Sequence, residues 1–180
     1  KDKIGMYEKP DRFTDLDKRD EVTLSEEGRA LVRRAAEESC VLLKNDGALP
    51  LAEGENIALV GPFADAKEII GAWQARGRCE ESVTVKEGME RLLGREVPCA
   101  AGCSAELFSA DESAIGDAVK LASRADHIIA CVGEHMSYSG EAHSRADIRI
   151  PNVQRKLLER LHALRKRLTL VVFGGSPLVL

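Results

Sequence analysis

The polar stretch 134–150 holds the side chains of this sequence that are best suited to chemistry. Glu134 and Glu141 are carboxylates that could donate or accept a proton, and His143 and Arg145 could hydrogen-bond a polar ligand. Most loops in compact domains are much shorter, and long loops are usually functional or disordered. We therefore expect this stretch to form the functional edge of the protein.

The two glutamates compete for a catalytic role. Glu141 follows Gly140, which lets the backbone adopt an exposed or strained turn, whereas Glu134 follows Gly133 and could instead pin the loop. Ser139 has no obvious base nearby, and no serine lies in a G-x-S-x-G pattern. The residues alone favour a carboxylate over a serine nucleophile and leave the choice between the two glutamates open.

Trp73 is the single tryptophan of the chain. Its neighbours, Gly71, Ala72 and Gln74, are typical of a loop or a helix end rather than of a core stripe. An aromatic face in a polar loop suits a sugar ring or a nucleobase. A partly buried tryptophan that only packs is the competing interpretation.

Two other kinds of site are disfavoured by the motifs. The segment from Gly61 to Asp65 matches neither the dinucleotide nor the P-loop pattern, because Pro62 lacks an N–H and Asp65 would repel phosphate. Cys99 and Cys103 have a C-x₃-C spacing but no second pair of ligands to close a zinc site. We therefore predict neither a cofactor nor a metal.

Composition limits the classes of function further. The 180 residues are 44% hydrophobic and 31% charged, with a formal net charge of −4 and with acidic and basic residues mixed along the chain. This mixture is typical of a globular domain and argues against a nucleic-acid surface. No apolar run approaches the roughly 20 residues of a membrane helix, so no membrane partner is predicted.

The cysteines indicate the kind of cellular compartment in which the chain resides. Five cysteines are spread along the sequence, an odd number that favours a reducing, cytoplasmic compartment. Two of them, Cys40 and Cys131, lie in apolar patterns and are predicted to be core residues.

The chain begins at Lys1 without a methionine and stops at Leu180 inside an apolar run. We expect a piece of a longer protein, so the lack of a targeting signal leaves its location unassigned.

Short apolar runs alternate with helical periods along most of the chain. Continuous apolar strands between helices indicate an α/β/α sandwich with a flavodoxin-like, largely parallel sheet. Residues 1–24 show no sustained apolar period and are predicted to be an irregular interdomain connector, followed by the sandwich domain over 25–180. The predicted strands are Ile57–Val60, Val97–Ala100, His127–Val132, Thr169–Phe173 and one from Leu178, and the predicted helices begin after Ser25 and cover 85–93, 113–124 and 152–164.

Four stretches resemble patterns that occur together in one protein family. Residues 35–51 (AAEESCVLLKNDGALPL) resemble A-x-E-S-x-V-L-L-K-N-x-x-x-L-P-L, and 57–65 (IALVGPFAD) resemble I-A-V-I-G-P-x-A-D. Residues 133–154 resemble G-E with S-G-E-x-x-x-R and L-P-x-x-Q, with Ile150 in place of the leucine, and 171–178 (VVFGGSPL) resemble V-L-x-x-G-x-P. With these passages the sequence resembles the second domain of family-3 glycoside hydrolases, the β-glucosidase and β-xylosidase group. Residues 5–10 also resemble the end of the barrel domain that precedes it in that family.

The resemblance implies a function for the polar loop. In that family a (β/α)₈ barrel supplies an aspartate nucleophile and the second domain lends the acid/base glutamate, a role that the resemblance places on Glu141. Trp73 resembles a tryptophan that lines the aglycone side, and Arg145, His143 and Glu134 are expected to bind the carbohydrate substrate. No barrel is present in these residues. We therefore expect a barrel domain of the same full-length β-glycosidase as the partner, and an inactive chain without it.

Two alternatives come from other classes of protein. One is a stand-alone flavodoxin-like binding or regulatory domain, which a phosphate-binding loop after a strand would favour and which the sequence does not contain. The other is a non-catalytic module in which Trp73 and the loop hold a carbohydrate.

Overall fold

A computed structural model describes the backbone of residues 1–180 and every side chain except those of Leu16 and Asp20. The chain forms two compact units, residues 1–45 and residues 46–180. The second unit contains the sheet.

The first unit contains a helix where none was predicted. Helix α1 (Leu16–Val22) begins after Asp15, whose side chain accepts a hydrogen bond from the Lys18 N–H at 3.0 Å. Such a cap satisfies a backbone donor that the first helical turn leaves free. The prediction of irregular structure over 1–24 is therefore wrong for α1, which a local cap stabilises without a long apolar period.

Helix α2 (Glu26–Ser39) begins where predicted. The Ser25 hydroxyl accepts a hydrogen bond from the Gly28 N–H at 3.2 Å. The apolar residues of α2, such as Leu31, are exposed, and Cys40 is exposed as well. The prediction of Cys40 as a core residue is wrong, because periodicity reveals an apolar stripe but not what covers it.

The second unit is built on a four-stranded sheet in which every pair of neighbouring strands is parallel. The strand order is β2-β1-β3-β4, which is the start of the flavodoxin-like order. The two central strands are buried at every position, as their continuous apolar sequences predict. The strands are β1 (Ile57–Val60), β2 (Cys99–Ala100), β3 (His127–Gly133) and β4 (Arg167–Phe173).

Helices cover both faces of this sheet. Alternate β3 residues point to opposite sides: Ile128 packs in the cluster that includes Leu157, and Ile129 packs in the cluster that Val85 joins. The helices are α3 (Val85–Leu93), α4 (Ile115–Ala122) and α5 (Asn152–His162), each one within the span predicted for it. None of the helices in the described part of the chain has the length and apolar character needed to span a bilayer.

The predicted strand at the end of the chain is nearly absent. Val179 forms a single isolated parallel bridge with Arg149 and does not join the sheet. Its N–H donates to the Ile148 carbonyl at 3.0 Å, and its own carbonyl accepts from the Ile150 N–H at 3.0 Å. The prediction of a strand from Leu178 is wrong in extent, and this segment instead borders the polar loop.

Two long loops leave the carboxyl ends of the central strands, the β1–α3 loop (61–84) and the β3–α5 loop (134–151). Gly61 at the end of β1 and Gly133 at the end of β3 both have positive φ angles, 117° and 145°. A Cβ at Gly61 would overlap the Cys131 carbonyl, and one at Gly133 would overlap the Phe173 carbonyl. Only glycine allows the strands to approach so closely where the two loops begin.

Candidate functional site

The two loops begin at the same edge of the sheet, because β1 and β3 are parallel neighbours. The β1–α3 loop carries Trp73 and the β3–α5 loop carries Glu141. Ligands of open α/β sheets bind beyond the carboxyl ends of the strands, which is where both loops lie. The fold therefore brings together two of the residues singled out from the sequence.

Glu141 lies in an exposed turn of the β3–α5 loop. Gly140 before it has φ +110°, and a Cβ there would lie 3.0 Å from the Ala72 Cβ and 3.5 Å from the Trp73 Nε1. Among the residues that the structure describes, none hydrogen-bonds the Glu141 carboxylate. This carboxylate is consequently free to contact a ligand.

Trp73 is 72% exposed and does not belong to the core. The contact of its loop with Gly140 sets the indole close to the Ser139-Gly140-Glu141 turn. An exposed aromatic ring next to a turn that carries a carboxylate suits a sugar ring and its polar substituents. The packing interpretation of Trp73 is not supported by its exposure.

Glu134 is buried, in contrast to Glu141. Its Oε2 accepts a hydrogen bond from the Arg145 Nη1 at 2.5 Å. Its Oε1 accepts from the Gly175 N–H and from the Ser176 hydroxyl, each at 3.1 Å. The structure therefore pairs Glu134 with Arg145 and with the turn that follows β4.

The remaining polar groups of the loop also have defined places. His143 is exposed, and its N–H donates to the Gly140 carbonyl at 3.3 Å. His135 Nε2 lies 3.2 Å from the Glu68 Oε2, which links the two loops near their bases. The Tyr138 hydroxyl donates to the Glu106 Oε2 at 2.9 Å. Side chains from two other segments thus tether the start of the β3–α5 loop.

Gln154 contributes to the site in a way that the sequence analysis does not predict. It is fully buried on α5, its Oε1 accepts from the Gly133 N–H at 2.8 Å, and its Nε2 donates to the Gly133 carbonyl at 2.9 Å. It satisfies both backbone groups at the end of β3, just before Glu134. The signal was an amide between Val153 and Leu157 on the apolar face of a helix, since buried polar groups are normally hydrogen-bonded.

The β1–α3 loop is closed at its base by Lys67 and Ser82. The Lys67 ammonium donates to the Ser82 carbonyl at 2.7 Å and to the Glu87 Oε1 at 2.6 Å, and the Ser82 hydroxyl donates to the Lys67 carbonyl at 2.7 Å. The hydrogen bond from Lys67, followed by the one from the Thr84 N–H, lowers the pKa of Glu87 below its ordinary value of 4.5. Trp73 is therefore carried by a loop whose two ends are joined.

A cleft of about 460 Å³ lies on the outer flank of the β3–α5 loop. Residues from the segments 107–108 and 144–155 line it, and neither Trp73 nor Glu141 is among the described residues that do so. Two of its guanidinium groups are already paired, Arg149 with Asp147 at 2.6 Å and Arg155 with Glu159 at 3.1 Å. The cleft thus adds no unpaired cation next to the candidate site.

Metal and thiol chemistry find little support in the described part of the chain. No group of three or more His, Cys, Asp and Glu side chains is arranged there to hold a metal ion. Burial raises the pKa of the Cys103 and Cys131 thiols to about 12, so neither is a nucleophile near neutral pH. Cys131 is buried in the core, as predicted from its apolar surroundings.

Comparison with known proteins identifies what this arrangement is similar to. The family model for the glycosyl hydrolase family 3 C-terminal domain matches residues 40–180. The chain is 34% identical to a periplasmic β-glucosidase of Salmonella typhimurium, over 98% of this chain and 26% of that protein, and 29% identical to a β-xylosidase of Formosa agariphila, over 98% of this chain and 25% of that protein.

A solved structure gives the same result. The β-glucosidase from Listeria innocua in complex with isofagomine superposes with a TM-score of 0.87 at 31% identity, over 98% of this chain and 24% of that chain. The chain thus spans about a quarter of the length of the relatives that it matches.

Proposed function

The chain belongs to glycoside hydrolase family 3, and we propose that it is the part of a retaining β-glycosidase that carries the acid/base loop. The whole protein hydrolyses terminal β-linked sugars. A barrel domain of the same protein supplies the nucleophile, and the 180 residues alone are inactive. The relatives are β-glucosidases and a β-xylosidase that are about four times as long as this chain, which supports a further catalytic domain.

The observation that carries the proposal is the contrast between the two glutamates of one loop. Glu134 is buried and paired, whereas Glu141 is exposed, is unpaired among the described residues, and follows a glycine that lies next to the exposed Trp73 ring. Retaining hydrolysis needs two carboxyl groups about 5–5.5 Å apart, one as nucleophile and one to protonate the leaving oxygen. Glu141 is the carboxyl group that can be presented to a second domain.

The two chemical steps use Glu141 in two protonation states. It first gives its proton to the glycosidic oxygen while the nucleophile of the barrel attacks the anomeric carbon. It then takes a proton from the water that releases the sugar from the covalent intermediate. Trp73 contacts the leaving group from the neighbouring loop, and Arg145 acts on the site through the loop backbone.

The test is Glu141→Gln in the longer protein that contains this chain, with two substrates. General acid help is worth about 10²–10⁴-fold when the leaving group needs a proton, and little when it leaves as a stable anion. Formation of the covalent intermediate should therefore slow by that factor for an alkyl glycoside and only slightly for a dinitrophenyl glycoside. With the dinitrophenyl glycoside the intermediate should accumulate, and azide, which needs no base, should restore turnover.

Glu159→Gln serves as the control, because Glu159 is an exposed carboxylate on α5 paired only with Arg155 among the described residues. It should leave both rates unchanged. Equal slowing of the two substrates by Glu141→Gln without azide rescue would move the acid/base role to another residue. Glycosidase activity of the isolated 180 residues would contradict the need for a barrel nucleophile.

A further inference from the structure

Glu134 is an ionisable residue in the protein interior, where a charged group is energetically unfavourable. Its side chain is 1% exposed, and the Arg145 side chain that pairs with it is 10% exposed. Removing two charges from water costs free energy that their attraction often does not recover. Such a pair is best explained by the geometry that it holds in place.

The Glu134 carboxylate joins two segments that are far apart in sequence. Its Oε1 accepts from the Gly175 N–H and the Ser176 hydroxyl in the turn after β4. Its Oε2 accepts from Arg145, whose second terminal nitrogen donates to the Arg149 carbonyl at 2.7 Å. The carboxylate therefore fixes the turn after β4 relative to the second half of the β3–α5 loop.

Ser139 rests on the turn that Glu134 holds. A Cβ added at Gly175 would overlap both the Oγ and the Cβ of Ser139, so these two residues are in close contact. Ser139 lies two residues before Glu141, and the glycine between them packs against the β1–α3 loop. The backbone of Glu141 is consequently supported from the β4 side by a surface that Glu134 fixes.

We propose that Glu134 is a positioning residue for Glu141: it fixes the turn after β4, which fixes Ser139 and through it the acid/base carboxylate. Its burial keeps it out of reach of a sugar, so it acts through its neighbours and does not bind substrate. This inference rests on the proposed function and adds a specific residue to it. Arg145 shares the role as the partner that holds the second oxygen of Glu134.

The structural half of the proposal is tested by Glu134→Gln in the 180-residue chain. The amide retains the shape of the side chain but loses the attraction to Arg145. Amide hydrogen exchange should speed up by about tenfold or more at Gly175, whose N–H bonds to Glu134, and at His143, whose N–H bonds to the Gly140 carbonyl. Exchange in β1 should not change.

The matched control breaks an exposed ion pair of the same loop. Arg149→Gln removes the ion pair between Arg149 and Asp147, whose side chains are 70% and 59% exposed respectively. It leaves the Arg149 carbonyl in place to accept the hydrogen bond from Arg145. Exchange at Gly175 and His143 should stay as in the unsubstituted chain. Unchanged exchange at both positions in Glu134→Gln would overturn the proposed support of the loop.

The functional half is tested by the same substitution in the longer protein. Rates are expressed per active site, titrated with a covalent inhibitor that labels the nucleophile. A misplaced acid slows the step that needs a proton, and a displacement of about 1 Å can cost about 10²-fold. Turnover of an alkyl glycoside, which is limited by formation of the covalent intermediate, should fall by about 10- to 100-fold with KM little changed. Formation of the intermediate from a dinitrophenyl glycoside should slow by less than about threefold.

Each other outcome has a different meaning. A raised KM with equal slowing of both substrates would make Glu134 a substrate ligand and overturn the proposal. A smaller titrated active fraction with unchanged rates per site would reduce Glu134 to a folding role, which also overturns it. Lack of glycosidase activity in the unsubstituted protein would instead overturn the proposed function itself, and the positioning role with it.

Discussion

The two loops at the carboxyl edge of the sheet are anchored in different ways. The β3–α5 loop is held at its base by a buried ion pair, Glu134 with Arg145, in which the side chains are 1% and 10% exposed. The β1–α3 loop is held by Lys67 and Glu87, which are 37% and 34% exposed. One base is part of the interior, and the other is in contact with solvent. We infer that the first resists changes in solvent, whereas the second responds to them.

The chemistry assigned to each loop is consistent with this difference. A group that transfers a proton must stay close to its productive position, so it benefits from a buried, hydrogen-bonded base. A tryptophan that contacts a leaving group by its ring face tolerates more movement. The comparison predicts that substitutions at the base of the β3–α5 loop have larger effects than equivalent substitutions in the β1–α3 loop.

Gln154→Leu should have the largest effect on stability. It removes the two hydrogen bonds to the Gly133 N–H and carbonyl and leaves both groups buried without a partner. An unpaired buried polar group costs about 1–3 kcal/mol, so the loss should be about that amount for each of the two groups. Urea unfolding of the 180-residue chain, followed by circular dichroism, measures it.

Gln74→Leu is the matched substitution in the other loop. Gln74 is half-buried, and among the described residues its side chain accepts only a long hydrogen bond, from the Cys79 thiol at 3.6 Å. Its free energy of unfolding should change far less than that of Gln154→Leu. Similar losses of unfolding free energy in Gln154→Leu and Gln74→Leu would contradict the expectation that the β3–α5 loop is anchored more firmly than the β1–α3 loop.

The sheet could be predicted from sequence because its strands are buried on both faces. β1 is predicted to the residue, and β3 is one residue longer than predicted, since a continuous apolar run marks such strands. The α/β fold with a parallel sheet is confirmed by the structure and by its family. The helix α1 was missed, because a cap at Asp15 acts locally and produces no periodic pattern.

The site could be predicted only in part. The position of the polar loop follows from the end of β3, and Glu141 was singled out by Gly140 and by the resemblance to the family. The partners of Glu134 could not be predicted, because they are 11 to 42 residues away and belong to irregular segments. Loop geometry depends on specific bonds of this kind, which no local pattern encodes.

Gly140→Ala should have an intermediate effect, because it acts where the two loops touch. The φ of +110° is strained for any residue with a Cβ, at a cost of about 1–3 kcal/mol, and the new methyl group would press on Ala72 at 3.0 Å. The emission of Trp73, the only tryptophan, should shift, and iodide should quench it to a different extent.

Gly54→Ala provides the control for backbone strain alone. Gly54 has φ +74° and no atom within 4 Å of an added Cβ. This variant should lose stability without altering the emission of Trp73. If Gly140→Ala also leaves the emission unchanged, the contact between the loops does not position the indole.

The smallest effect is expected at the exposed base, and it should depend on pH. The hydrogen bond from Lys67, followed by that from the Thr84 N–H, lowers the pKa of Glu87 in the folded chain. Because this pKa is lowered in the folded state, the ionised Glu87 carboxylate stabilises the loop fully at pH values above its ordinary pKa of 4.5. This stabilisation is lost as the pH falls through the lowered pKa. Trp73 emission should therefore change below pH 4.5 before the helical circular dichroism does.

Glu87→Gln decides whether this carboxylate is responsible. The amide cannot ionise, so the early change in Trp73 emission should disappear from the acid titration, while global unfolding at lower pH persists. Glu80→Gln, an exposed carboxylate of the same loop, should keep the early change. An early change that survives in Glu87→Gln would assign it to another group. The β3–α5 loop, read out by the exchange of the His143 amide, should not respond to Glu87→Gln, because its own base lies in the interior.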